Sequence, residues 1–374
     1  MNKNTKILIA PDSFKGSISA ADAAAAIARG IARGMGQNAP TETLCVPIAD
    51  GGEGTLDALV PESNRFTLTV TGTDGPPVTA EYGHIGDTAV IEMARAAGLT
   101  LVPEARRSAL TSTTFGVGEL MLDALGRGYR KFLLTVGGSG TNDGGCGMFA
   151  ALGARFYDQN GNTFVPTGGT LMNIAKIDTV LVDNRLFDCQ FTIATDVKNP
   201  LLGENGATYV YARQKGANDM ELAQMERGMS LYAALWESTC GKAVSSIPGC
   251  GAGGGFSTPL LGMLNAEIRS GIDAVLDAVD FEAKLEDVTA VITGEGKIDR
   301  QSLFGKAISG VCRAAAKRNI PVYAFVGCIG DDKQTLLDMG LKDIVAIGDL
   351  APDAAYSMTH AYELLERAAT DLAL

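Results

Sequence analysis

Several loops of this 374-residue chain combine acidic side chains with glycine and often lysine, a composition suited to phosphate chemistry. One such loop is usually a capped turn, but several in one chain favour a shared site. Phosphoryl transfer needs lysines and backbone N–H groups to offset negative charge, and a carboxylate to orient or deprotonate the attacking hydroxyl. Hydride transfer requires no such density of charge. The loops contain Asp12 with Lys15, Asp50 with Glu53, Asn142 with Asp143, Asp196 with Lys198, and Glu295 with Lys297 and Asp299.

A glycine-dense segment, Gly137–Gly147, lies between a predicted strand, Lys131–Val136, and a helix-like run. Glycine turns let backbone N–H groups converge on an anion and leave short polar side chains free to contact a ligand. A tight strand-to-helix turn is the simpler alternative, but six glycines within eleven residues favour a ligand site. The predicted phosphate-binding residues of this loop are Gly137, Gly138, Ser139, Thr141, Asn142 and Asp143.

The elements that would position these loops form two groups. Continuous apolar runs predict buried parallel strands near both ends of the chain, at 6–10, 43–48, 290–293, 322–326 and 343–347. Between them, alternating runs at 66–71, 78–82 and 88–92 predict antiparallel strands. Predicted helices include one capped by Ser19 that runs to Arg33, and others at 116–125, 220–236, 304–318, 332–339 and 352–372.

This arrangement predicts an α/β fold with two α/β domains. Residues 1–64 and 285–374 would form a discontinuous, doubly wound parallel domain of the flavodoxin or Rossmann type, and 65–284 an inserted mixed α/β domain. In doubly wound sheets, ligands bind at the carboxyl ends of the strands, which is where several of the acidic loops lie.

Composition excludes several functions. A net charge of −12 argues against a nucleic-acid partner, which would require clustered lysine and arginine. Seven scattered cysteines without a C-x-x-C pair indicate neither a disulfide framework nor a zinc site, and two histidines make a histidine-based metal site improbable. No segment has the length and apolarity of a membrane span, and the N-terminus lacks a signal-peptide pattern. We therefore expect a cytoplasmic protein with no membrane partner.

Two common nucleotide-binding motifs, the dinucleotide fingerprint and the Walker loop, find little support in this sequence. The segment Gly249–Gly254 matches the dinucleotide fingerprint G-x-G-x-x-G, but the residues before it make a poor strand. A Walker loop is absent, because Gly305 and Lys306 are followed by alanine and lack the required spacing. A phosphotransferase with this sequence would therefore belong to neither the P-loop nor the protein-kinase class.

Six motifs follow one another along the chain: Ala10–Ser17, Ala49–Thr55, Gly137–Gly145, Asp196–Gly203, Gln214–Ala217 and Gly294–Asp299. Together and in this order they closely resemble the bacterial glycerate kinase family of the first type. The glycine loop has Gly140 where that family usually has alanine, and the later glycine cluster also differs by small residues. The resemblance implies ATP-dependent phosphorylation of D-glycerate to 2-phosphoglycerate, with 3-phosphoglycerate attributed to some members. It also implies one flavodoxin-like domain and an active site between two α/β domains.

Within these motifs, residue chemistry suggests roles. Asp196 would deprotonate the attacking hydroxyl, and Lys198 or Lys215 would lie near the transferred phosphoryl group. Lys15 would meet the glycerate carboxylate or a phosphate, and Glu295 or Asp299 would hold Mg²⁺. The remaining predicted substrate-binding residues are Asp12, Ser13, Asp50 and Glu53.

Alternatives remain open at this stage. They are 3-kinase regiochemistry, an NAD(P)-dependent 2-hydroxy-acid dehydrogenase and a non-catalytic sensor of organic acids. A homodimer is a possible assembly.

Overall fold

The structure is a computed structural model that describes residues 5–35, 41–303 and 306–372. In chain order the strands are β1 (Thr5–Pro11), β2 (Thr41–Cys45), β3 (Arg65–Thr71), β4 (Pro77–Ile85), β5 (Thr88–Glu92), β6 (Lys131–Thr135), β7 (Arg155–Tyr157), β8 (Thr163–Phe164), β9 (Lys176–Asp178), β10 (Gln190–Ala194), β11 (Glu267–Arg269), β12 (Ala290–Ile298), β13 (Val322–Ile329) and β14 (Leu341–Ala346). The α-helices are α1 (Ala20–Met35), α2 (Thr55–Leu59), α3 (Ala94–Ala97), α4 (Phe115–Gly126), α5 (Cys146–Ala151), α6 (Ala207–Tyr211), α7 (Asp219–Cys240), α8 (Thr258–Met263), α9 (Gly271–Ala278), α10 (Phe281–Lys284), α11 (Ala307–Ala316), α12 (Lys333–Leu337), α13 (Ala354–Thr359) and α14 (Ala361–Thr370).

The first of two compact units lies within Met1–Asp50, Asp57–Leu59 and Gly271–Leu374. Its five strands are all parallel and have the order β14-β13-β12-β1-β2. Numbered within the unit this is 2-1-3-4-5, the flavodoxin-like order, with its switch point between β1 and β12. The apolar runs that predicted these strands are buried: Ile7, Leu8 and Ile9 have no exposed surface. The predicted doubly wound parallel sheet is therefore confirmed.

The second unit lies within Gly51–Leu56 and Val60–Ser270. Its six-stranded sheet has the order β11-β10-β6-β5-β4-β3. Strands β3 to β5 pair antiparallel, whereas β5, β6, β10 and β11 pair parallel. A small antiparallel sheet, β8-β7-β9, completes the unit. The mixed α/β character that was predicted for the middle of the chain is thus observed.

Local sequence signals explain where the main helices start. Ser19 Oγ accepts the backbone N–H of Asp22 at 3.1 Å at the start of α1. Asn218 and Glu221 form a capping box at the start of α7. These caps satisfy N–H groups that a helix start would otherwise leave without acceptors.

The units divide the chain differently from the predicted boundaries at 65 and 285. Segment 271–284 lies in the first unit, where α9 packs beside α11 and α10 packs beside α9. Arg313 on α11 donates to Asp273 on α9 at 2.7 Å. Gly310 gives α11 room for this contact, since a Cβ there would meet Ile272 at 2.3 Å. Tertiary packing of short helices decides this assignment.

Some predicted elements have different limits. The closing helix is two helices, because His360 leaves helical geometry at φ −119° and ψ 26°. Strand β2 ends at Cys45 and does not continue to 48, and positions 304–305 of the predicted helix 304–318 lie outside the described residues. Among the helices in the described ranges, none combines the length and apolarity required to cross a bilayer.

Candidate active site

The first unit contains a cavity of about 750 Å³ at the carboxyl ends of its parallel strands. Its walls include the residues that follow β1, the end of β12, and the ends of β13 and β14. The β1–β12 switch point, where doubly wound sheets bind ligands, therefore lies at this cavity. The residues of the sequence-based prediction that line it are Asp12, Ser13, Lys15, Asp50, Glu295 and Asp299.

Asp12 is a buried carboxylate on this wall, with 7% of its surface exposed. Its backbone N–H donates to the Gly294 carbonyl at 2.8 Å, and its Oδ1 accepts the Ser13 N–H at 2.6 Å. Burial, together with the charges of Asp50 and Glu295, raises the pKa of Asp12 to about 7. A carboxyl group with a pKa near neutrality can take up or release a proton at physiological pH.

Glu295 and Asp299 are linked through one buried serine. Ser302 Oγ donates to Glu295 Oε1 at 2.7 Å and accepts the Asp299 N–H at 3.3 Å. Burial raises the pKa of Glu295, opposed by the hydrogen bond from Ser302 and the charge of Lys306. Asp299 also contacts Lys297, with Nζ 3.3 Å from Oδ2. The two carboxylates are thus fixed in the same wall of the cavity.

This pair was predicted to hold Mg²⁺. Across the described residues, no three His, Cys, Asp or Glu side chains are grouped so that they could hold a metal ion. Mg²⁺ in kinase sites is usually bound by one or two carboxylates together with substrate phosphates and waters. Glu295 and Asp299 therefore suit a Mg²⁺ ion that binds together with a nucleotide. Their role as metal ligands stays a prediction.

A second cavity, of about 360 Å³, lies in the second unit. The start of the glycine loop, Gly137–Ser139, forms one wall. Gly138 has φ +69°, a conformation that side chains rarely adopt, and a Cβ there would approach Glu53 Oε2 at 3.3 Å. Thr195 and Val197, from the loop after β10, form another wall together with Tyr211, Gln214 and Lys215.

The side chains in the later part of the glycine loop are buried inside the second unit and do not face the cavity. Asp143 is fully buried, and its carboxylate accepts the N–H and hydroxyl of Thr114 at 2.8 Å and the N–H groups of Gly145 and Gly147 at 3.1 and 3.2 Å. Thr141 and Asn142 are also fully buried. These residues support the loop from within, which leaves Gly137–Ser139 as the part that lines the cavity.

Asp196 and Lys198 alternate with Thr195 and Val197 and are exposed. The turn is tight, because the Val197 N–H donates to Thr195 Oγ1 at 3.2 Å. The structure thus places Asp196 beside residues of the second cavity, and its predicted role as the base stays a prediction.

The structure separates the predicted pair Asp50 and Glu53. Asp50 lines the cavity of the first unit, whereas Glu53 belongs to the second unit and lies against Gly138. Glu92, at the end of β5, holds the loop that carries Glu53: its carboxylate accepts the N–H groups of Gly54 and Leu56 at 3.0 and 3.1 Å. Sequence reasoning missed this role of Glu92, although an acid that ends an apolar strand was a usable signal.

Lys306 was also missed. It lines the first cavity and acts electrostatically on Glu295. Its glycine-lysine context was considered only as a Walker loop, and that motif lacks the required spacing.

The dinucleotide fingerprint is not supported by its surroundings. Gly249–Gly254 follows a turn region, 241–248, and contains a 3₁₀ turn, Ala252–Gly254. The strand that this motif requires is not present before it in the described chain, so the pattern carries no support for a dehydrogenase.

Comparison with known proteins confirms the family that the six motifs suggested. A family model described as the glycerate kinase family matches residues 7–374. A glycerate kinase from Bacillus subtilis (strain 168) is 44% identical over 372 residues, 98% of this chain and 97% of that protein. A glycerate 2-kinase from Escherichia coli (strain K12) is 40% identical over 372 residues, again 98% and 97%. A crystal structure assigned to glycerate kinase 2 from Salmonella typhimurium LT2 has a TM-score of 0.87 and 39% identity, covering 98% of this chain and 96% of that chain. This chain therefore belongs to the glycerate kinase family and is a phosphotransferase that acts on an alcohol acceptor.

Proposed function

We propose that this protein transfers the γ-phosphoryl group of ATP to D-glycerate and forms 2-phosphoglycerate. The family match supports glycerate as the acceptor, and the relative named glycerate 2-kinase supports the 2-hydroxyl group. The structural observation that carries the proposal is the cavity at the β1–β12 switch point. It brings together carboxylates and lysines from four strand ends, which are the groups that phosphoryl transfer requires.

Glu295 and Asp299 would hold Mg²⁺ together with the nucleotide phosphates. When bound, the metal would offset the negative charge of the β- and γ-phosphates. Lys15, Lys297 and Lys306 line the same cavity and would contribute positive charge to the transferred group. They come from three places in the fold: Lys15 follows β1, Lys297 lies in β12 and Lys306 precedes α11.

Asp196 would accept the proton of the attacking hydroxyl, and Lys198 would neutralise charge nearby. Asp196→Asn keeps the size of the side chain but removes its basicity, so turnover should fall by about 10²–10⁴-fold. Asp188→Asn, an exposed change in the same unit, is the matched control. Near wild-type turnover in Asp196→Asn, with unchanged folding, would remove Asp196 as the base.

The product isomer is the most informative measurement. Incubation with D-glycerate, ATP and Mg²⁺ should give ADP and one phosphomonoester, whose isomer phosphorus NMR identifies. Enolase should then convert that product directly to phosphoenolpyruvate, since only 2-phosphoglycerate is its substrate. A product that enolase accepts only after a mutase is added would instead show 3-kinase regiochemistry.

The remaining alternatives have direct tests. A dehydrogenase would consume NADH with hydroxypyruvate in the absence of ATP. A non-catalytic sensor would bind glycerate without releasing ADP. We expect neither behaviour.

A further inference from the structure

Lys215 is an unusual cation in the second unit. It lines the cavity of about 360 Å³, and only 2% of its surface is exposed. Its Nζ donates to the Thr141 carbonyl at 2.7 Å, and the charge of Asp143 acts on it without forming an ion pair in the described part of the chain. Lysine has three N–H donors, so this single neutral acceptor leaves most of its hydrogen-bonding capacity unused.

A buried charge without a partner is costly, and proteins usually pair it or neutralise it. Burial lowers the pKa of Lys215 to about 8, and the nearby charge of Asp143 opposes this effect. At neutral pH the side chain therefore remains a cation beside a cavity. A small anionic ligand in the cavity would supply the missing partner of this charge.

The cavity of the first unit has a different character. It is about twice as large and carries three lysines, six carboxylates and an apolar wall that includes Ile347, Ala351 and Met358. An apolar wall suits a nucleobase, whereas lysines and metal-binding carboxylates suit a polyphosphate. The single lysine that lines the smaller cavity would neutralise little of the negative charge of a nucleoside triphosphate.

We infer that Lys215 binds the carboxylate of the hydroxy acid, so that the cavity of the second unit takes glycerate and that of the first unit takes the nucleotide. The inference rests on the proposed function and deepens it. The sequence left Lys15 open between the glycerate carboxylate and a phosphate, and the inference selects the phosphate. It also moves Lys215 from the transferred phosphoryl group, its expected partner, to the glycerate carboxylate. It also places the acceptor beside the loop of Asp196, the predicted base.

Steady-state kinetics of two lysine variants separate the two allocations. Lys215→Met removes the charge and keeps the length, so the KM for D-glycerate should rise at least about tenfold while the KM for ATP changes less than about threefold. Lys15→Met should show the opposite pattern. Lys176→Met, an exposed change in the second unit, is the control and should leave both KM values unchanged.

A measurement on the wild-type protein avoids dependence on variant folding. Carboxylate binding should favour the charged form of Lys215, so D-glycerate binding at about pH 8.5 should take up protons. Calorimetry in two buffers with different ionisation enthalpies measures this uptake. The other titratable groups close to the site are Asp143, Tyr211, Glu53, Asp196 and Lys198. Burial raises the pKa of Asp143 and of Tyr211, so Tyr211 stays protonated at this pH.

The outcomes are distinct. A raised glycerate KM in Lys215→Met, with proton uptake on D-glycerate binding, supports the inference. A raised ATP KM instead, or unchanged KM values in a folded Lys215→Met protein, or no proton uptake by the wild type, overturns it. If the wild type does not phosphorylate D-glycerate at all, the proposed function itself fails, and that result is separate from the allocation of substrates.

Discussion

Asp12 should lower the stability of the first unit at neutral pH, and its replacement by asparagine should raise it. Burial and the charges of Asp50 and Glu295 raise the Asp12 pKa from 3.8 to about 7. The folded state therefore holds a proton that the unfolded state releases between these values. Stability falls as pH rises through this window and stays reduced above it. At about 1.36 kcal/mol per pH unit the full effect is about 4 kcal/mol, which is an upper limit.

Asparagine resembles the protonated acid and keeps an oxygen that can accept the Ser13 N–H. Asp12→Asn should therefore match the wild type near pH 4 and exceed it by about 2–4 kcal/mol above pH 7. Its kinase activity should fall at the same time, because residues kept at a stability cost are typical of functional sites.

Differential scanning calorimetry at pH 5 and pH 8 would measure this difference. The single tryptophan, Trp236, is fully buried in the second unit, so its fluorescence follows that unit and provides an internal control. Glu363→Gln, an exposed change on α14, is the matched acid control. A stability difference between Asp12→Asn and the wild type that is absent, or that does not change with pH, would refute the reasoning.

Three further substitutions test hydrogen bonds and packing contacts that stabilise the fold. Glu92→Gln removes the charge that two backbone N–H groups share, so Trp236 fluorescence should report a loss of about 1–3 kcal/mol in urea, with reduced turnover. Asp143→Ala leaves four donated hydrogen bonds without their acceptor, and the same assay should show a loss of at least about 3 kcal/mol. Gly30→Ala would place a Cβ 2.2 Å from a backbone oxygen of α14, so the calorimetric melting temperature of the first unit should fall. Gly126→Ala meets nothing within 4 Å and should be neutral or slightly stabilising, and an equal loss in both glycine variants would contradict this packing argument.

The two-cavity arrangement gives the acidic loops separate tasks. In the first unit, burial and neighbouring carboxylates raise the pKa of Asp12 and of Glu295. In the second unit, the buried Asp143 holds the glycine loop in place. Residue type alone did not distinguish the carboxylates that line a cavity from the one that stabilises a loop, because the loops of both units combine acids with glycine.

The strands and the family were determined by the sequence itself. Continuous apolar runs such as Ile7–Ile9 can be satisfied only by burial on both faces of a sheet, so local composition predicts parallel strands. The glycine, acid and lysine motifs identified the family because their order is specific, and the comparisons confirmed it. The expected location of the active site between the domains stays a prediction.

Other features depended on the tertiary structure. Burial is a property of neighbours that are distant in the chain, so Lys215 could not be identified as an unpaired cation from its own motif. For the same reason the sequence did not reveal the role of Glu92, which accepts hydrogen bonds from a loop 36–38 residues earlier in the chain. The boundary between the two units falls between Asp50 and Glu53, although only two residues separate them in the chain. Sequence determined which groups are available for chemistry, and packing decided which of them share a cavity.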